Sequence, residues 1–124
     1  MQYEYFYGAQ AEQFSFYRIP KALFTEPNFR ELSTDAKVLY GILLDRMSLS
    51  LKNQWLDAQN KVYIIFTVEE IMDALNCANQ KATRLMVELE KQAGLIERKR
   101  QGLGRPNLIY VKNFAATING KSCE

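Results

Sequence analysis

The chain contains no histidine. That absence removes the usual general base, the commonest metal ligand and every histidine-containing triad together. Cysteine is almost as scarce, with only Cys77 and Cys123. Their spacing matches neither a disulfide framework nor a zinc site, so both read as free thiols, and no metal is expected. No apolar run approaches the roughly 20 residues of a membrane span. The opening residues, Met1–Gln13, lack a basic region followed by an apolar one and do not read as a signal peptide. A cytoplasmic protein with no membrane partner is the expectation. Asp45, Asp57 and Asp73 are scattered without metal-ligand spacing, and Gly102-x-Gly104 precedes no helix and so makes no phosphate loop. Neither an enzyme nor a cofactor-binding protein is expected.

What remains is a chain of 124 residues, 48% hydrophobic and 24% charged, which suits one folded domain. The net charge of +2 hides an uneven distribution. Residues 1–78 hold seven Lys/Arg against ten Asp/Glu, net −3, whereas residues 79–112 hold eight against three, net +5. A basic segment inside a nearly neutral chain marks a face for a polyanion.

Aromatic side chains are concentrated at the start. Residues 1–17 contain Tyr3, Tyr5, Phe6, Tyr7, Phe14, Phe16 and Tyr17. The alternation at 3, 5 and 7 predicts a strand with one apolar side. The arm lacks interleaved Lys/Arg, so it reads as an interface or core strap rather than a base-stacking platform. Ile19-Pro20 interrupts regular structure, and residues 21–24 suit a short helical turn.

Ser33 or Thr34 caps a first long helix, with Asp35 at its positive end and Ala36, Leu39, Tyr40, Leu43 and Met47 forming its buried stripe. Its end is expected near Leu49. Residues 50–61 read as a connection or a frayed continuation anchored by Trp55. Val62–Phe66 is β-rich and predicts a strand. Thr67-Val-Glu-Glu70 is a capping box that opens a short helix with Ile71, Met72 and Leu75 inside. Asn76–Asn79 breaks the chain. A third helix is expected from Gln80 to Ala93, with Asn79 as N-cap and Gly94 in the left-handed position after its end. Residues 95–101 and 108–112 form strands around a Gly- and Pro-containing turn, a longer-looped hairpin.

Helix, strand, short helix, turn, longer helix and hairpin is the order of a winged helix-turn-helix, an α+β fold that is mostly helical with a C-terminal β-hairpin wing. In the third helix Ala82, Leu85, Met86 and Leu89 share the inner face. Asn79, Gln80, Lys81, Thr83 and Arg84 are left to meet DNA; arginine matches guanine and glutamine matches adenine in the major groove. Arg98, Lys99, Arg100, Arg105 and Lys112 make the wing basic and suit phosphate. Strand alternation puts Arg98 and Arg100 on one side and Lys99 on the other.

Four segments carry a family resemblance. Val62–Met72 and Gly94–Phe114, together with Phe16–Phe24 and Leu32–Tyr40, resemble the N-terminal domain of RepA-type plasmid replication initiators. The wing segment is the most specific of them. The resemblance implies a plasmid of low-GC Gram-positive bacteria. It implies sequence-specific binding of double-stranded DNA at repeats in a replication origin, commonly as a homodimer. It also implies a C-terminal domain, absent from these residues, that links to host replication proteins. The expected organisation is an arm over 1–17 that mediates dimerisation, a winged-helix domain over 18–114 and a tail over 115–124. A winged-helix transcriptional repressor, or a protein-interaction module that does not bind DNA, shares the same pattern.

Overall fold

A computed structural model describes residues 2–8 and 13–115. The expected tail beyond residue 115, Cys123 and residues 9–12 of the arm lie outside the described residues.

The chain enters the domain through α1 (Ala22–Thr25) and a 3₁₀ turn (Pro27–Phe29). These seat Leu23 and Phe29 in the core. Helix α2 runs over Thr34–Asn53. Ser33 is its N-cap, its hydroxyl accepting from the Ala36 N–H at 3.2 Å, which satisfies one donor at the open helix end. Ala36, Leu39, Tyr40 and Leu43 are buried along it as the periodicity requires. The helix passes the expected end at Leu49 and stops where Gln54 turns left-handed, at φ 59°. Ser50 explains the extra turn. It is fully buried, and its carbonyl accepts from the Trp55 N–H at 2.9 Å, so the chain reverses only after residue 53. Trp55 then stacks on Tyr63, with ring centroids 6.3 Å apart.

Gly41, on α2, lies where the incoming chain crosses the helix. A Cβ there would stand 2.9 Å from the Arg18 carbonyl oxygen and 2.9 Å from the Ile19 side chain. Only glycine admits so close an approach.

The expected strand over 62–66 does not form as one element. Tyr63 donates to the Trp55 carbonyl, while Ile64 exchanges two 2.9 Å hydrogen bonds with Ile109. The segment divides its backbone groups between two neighbours, so two isolated bridges replace a ladder. Ile64 still brings this segment against the C-terminal hairpin.

Helix α3 (Val68–Leu75) carries the full capping box. Glu70 N–H donates to the Thr67 hydroxyl at 3.2 Å, and the Glu70 carboxylate accepts from Thr67 N–H at 3.0 Å. Asn76 ends it in the left-handed region, at φ 53°. Helix α4 (Asn79–Val87) follows after a three-residue turn and continues as a π-helical turn over Glu88–Gln92. Its N-cap is Ala78, not Asn79. The Ala78 carbonyl already accepts from Ala82 at 3.1 Å, so the helix begins one residue early and Asn79 is its first residue. The widened last turn follows from Ala93 N–H reaching back five residues to Glu88. Gly94 is left-handed as expected, at φ 67°.

Strands β1 (Ile96–Lys99) and β2 (Leu108–Val111) pair antiparallel, with Ile96 opposite Val111 and Lys99 opposite Leu108. Both are shorter than the expected runs, and residues 100–107 form an exposed tip. The core joins Leu39, Tyr40 and Leu43 of α2, Ile71 of α3, Leu85 and Met86 of α4, and Ile64, Ile96 and Ile109. Two helices joined by a tight turn, backed by α2 and flanked by a hairpin, make this fold a winged helix-turn-helix.

The arm does not form the expected strand. Residues 2–7 have no regular structure, and Tyr3 and Tyr5 are each 84% exposed. Among the described residues no neighbouring strand supplies the ladder bonds that an extended segment needs. Phe6 and Phe14 meet edge to face with centroids 5.9 Å apart, and Phe14 meets Phe16 at 6.3 Å.

Candidate nucleic-acid interface

Ala82, Leu85, Met86 and Leu89 fix the rotation of α4 by packing inward. That rotation leaves Asn79, Gln80, Thr83, Arg84 and Val87 exposed on its outer side. The first five candidate residues therefore share one end of one helix, with Lys81 half-buried at the flank. Arg84 makes no ion pair among the described residues. Thr83 donates weakly to the Asn79 side chain at 3.5 Å. Lys81 is engaged: its ammonium lies 2.7 Å from Asp35 in the first turn of α2.

The wing residues divide into two groups. Lys99, Arg100 and Arg105 are exposed along the strand end and tip. Arg98 does not share the exposure of Arg100 as expected: the strand ends at Lys99, so alternation does not carry to residue 100, and Arg98 is half-buried. Its Nε and one terminal nitrogen donate to Glu90 at 2.9 and 2.7 Å, and its backbone N–H donates to the same carboxylate at 3.2 Å. Burial pushes the Glu90 carboxyl up, but the bonds from Arg98 outweigh it and hold the group below the usual carboxylate range. This pair ties the wing to the end of α4 and sets the angle between them. Lys112 is exposed and only 3.9 Å from Glu97, a loose pair of two solvated groups.

Glycines let the wing tip curl. Gly102 and Gly104 have φ of 120° and 78°, where a side chain would be strained. Arg105 N–H donates to the Gly102 carbonyl, and the Gln101 side chain donates to the Pro106 carbonyl at 2.8 Å.

Three acidic residues that organise this surface carry no local signal in the sequence. Glu88 accepts from both the backbone N–H and the hydroxyl of Ser33, fastening the end of α4 to the start of α2. Glu90 serves the wing as described. Asp57 accepts from the N–H groups of Gln59 and Lys61, each at 2.8 Å, and from the Tyr110 hydroxyl at 3.0 Å. The Lys61 N–H is the main cause of its lowered pKa, against an opposing effect of burial. Burial and then Asp57 push the Tyr110 hydroxyl up. Asp57 thus closes the 57–61 loop and pins it to β2. Asp57 closes its loop locally, but its bond to Tyr110 and the bonds of Glu90 and Glu88 reach across 53, 8 and 55 residues.

The helix-turn-helix with its basic wing defines a DNA-binding class of fold. Residues 15–123 match the family described as replication initiator protein A (RepA) N-terminus, and the chain belongs to that family. A 41 kDa protein of Lactobacillus helveticus is 32% identical over 92 residues, which are 74% of this chain and 26% of that protein. The chain thus spans about a quarter of the length of this curated relative. Among solved structures, the N-terminal domain of a DNA-binding protein matches with a TM-score of 0.73 at 35% identity, over 98% of this chain and 96% of that one. A Rep–DNA complex matches with a TM-score of 0.73 at 35% identity, over 96% and 95%. An MDR initiator matches with a TM-score of 0.69 at 38% identity, over 98% and 100%.

Proposed function

We propose that this domain binds double-stranded DNA sequence-specifically at repeats in a plasmid replication origin and so initiates plasmid replication. The observation that carries the proposal is that the +5 segment, residues 79–112, supplies the exposed side chains of two elements. These are the start of α4 and the wing. In this reading α4 enters the major groove with Asn79, Gln80, Lys81, Thr83 and Arg84 toward base edges and flanking phosphate. Lys99, Arg100, Arg105 and Lys112 contact the backbone, while Arg98 supports them through Glu90. The Rep–DNA complex among the structural relatives and the family membership support the same reading.

The arm supports a second element of the proposal, a homodimer. Seven aromatic residues exposed within one short segment are more than a monomer ordinarily leaves in water. Engagement of host replication proteins in the cytoplasm is a third element of the proposal.

The test is a gel-shift titration against duplexes containing origin repeats and against random duplex, each at two salt concentrations. Tight binding to the repeats with a weaker, steeply salt-dependent association to random DNA is expected. Equal affinity for both duplexes would remove sequence specificity, and no binding to either would favour the protein-interaction module.

A further inference from the structure

We infer that Asp35 sets the DNA affinity of this domain by competing with phosphate for Lys81. The inference rests on the proposed reading of α4 as the recognition helix.

Lys81 is the third residue of α4, so its ammonium stands at the positive end of that helix, where a cation is unfavourable. Asp35 is in the first turn of α2, where a carboxylate is favourable. The two lie 2.7 Å apart, with side chains 41% and 52% exposed. Asp35 therefore supplies Lys81 with the negative charge that a DNA phosphate would otherwise supply, at the helix end where phosphate is expected to dock.

An exposed ion pair of this kind is weak, on the order of 0–1 kcal/mol. Duplex DNA presents a negative charge about every 1.7 Å along its axis. The pair opens when DNA arrives, and Lys81 exchanges carboxylate for phosphate. Glu88, seven residues further along, is itself bonded to Ser33. Gln80, Thr83 and Arg84 are not involved in the exchange. The cost of opening the pair falls on every duplex alike, so Asp35 lowers affinity and leaves sequence preference unchanged.

The experiment compares the intact chain with Asp35→Asn, Lys81→Gln and the double variant. Each is titrated by fluorescence anisotropy against random duplex and against the tightest duplex recovered by binding-site selection, at two salt concentrations. Asp35→Asn is expected to tighten both duplexes by about three- to fivefold at low salt, the worth of an exposed pair. Lys81→Gln is expected to reduce the salt slope by about 0.9. In the Lys81→Gln background the gain from removing Asp35 should vanish, because no ammonium is left to release. Thermal melting checks the fold, and Asp35→Ser, which keeps a residue suited to a helix start, should reproduce the gain.

An Asp35→Asn variant with no gain overturns the inference. So does a gain equally large without Lys81, which would mean direct repulsion of DNA, and so does an unchanged salt slope in Lys81→Gln. The reading of α4 has its own control in Arg84→Ala. If sequence preference relaxes in that variant while the Asp35 series is flat, the recognition helix stands and the competition falls. An intact chain that binds neither duplex overturns both.

Discussion

Arg84 and Arg98 show how the same side chain is committed to different work by its neighbours. Arg84 lies exposed on α4 without an ionic partner among the described residues, the proposed reader of a base edge. Arg84→Ala is expected to relax preference at one or two base positions, costing about 1–3 kcal/mol of discrimination, with the fold intact. Binding-site selection beside the intact chain measures this, and an unchanged preference would move specificity to the wing, the arm or DNA shape. Arg98, on the wing strand β1, is half-buried and held by Glu90. Arg105→Ala should lower the salt slope by about 0.9 on specific and random duplex alike. Arg98→Ala should leave that slope nearly unchanged while lowering the melting temperature, because it strands a half-buried carboxylate. Salt-dependent titrations of the two variants separate a phosphate contact from a structural brace. A loss of about 0.9 in slope in Arg98→Ala would return it to the interface.

Helix α2 is the element against which the others are placed, and Gly41 is where the incoming chain touches it most closely. Alanine at 41 would raise intrinsic helix propensity by roughly 0.5–1 kcal/mol. Against that stands overpacking, which costs about 1–3 kcal/mol when neighbours must move. One neighbour here is backbone, the Arg18 carbonyl, and Pro20 restricts the chain just beyond it. Overpacking therefore wins, and Gly41→Ala should destabilise the domain by about 1 kcal/mol, read from urea unfolding. A variant as stable as the parent would show that residues 18–19 shift freely.

The elements most legible in the sequence are those specified by neighbours a few residues away. The Thr67–Glu70 capping box, the buried stripe of α2 and the left-handed Gly94 all use contacts within one or two turns. The inner face of α4 was legible for the same reason, and with it the outward candidates. The end of α2 depends on the buried Ser50 and the loop beyond, and the 62–66 segment on sharing its backbone between residues 55 and 109. Neither is written locally. Of the ten candidate residues, Lys81 and Arg98 prove to be engaged by acids 46 and 8 positions away, and Lys112 loosely by one 15 positions away. Composition identified the positive segment but not which of its charges were already neutralised.

For the molecule as a whole, the separation between an acidic N-terminal part and a basic C-terminal part places the proposed DNA face away from the aromatic arm in sequence. In the proposed dimer, association and DNA binding rest on different forces. Apolar contact between arms is insensitive to salt, whereas phosphate contact weakens steeply with it. A symmetric dimer presents two recognition helices to half-sites about one helical turn apart, roughly 34–36 Å. A variant lacking residues 1–17 should sediment as a monomer at every salt concentration, while the intact chain remains a dimer at salt high enough to abolish DNA binding. Because α4 and the wing are built from residues 79–112, the shortened chain should keep its affinity for a single half-site and lose the tighter binding to a properly spaced pair. Changing the spacing by half a helical turn should have the same effect on the intact chain and none on the shortened one. If the shortened chain retains the dimer mass, the interface lies on the winged-helix body and the exposed aromatics need another partner.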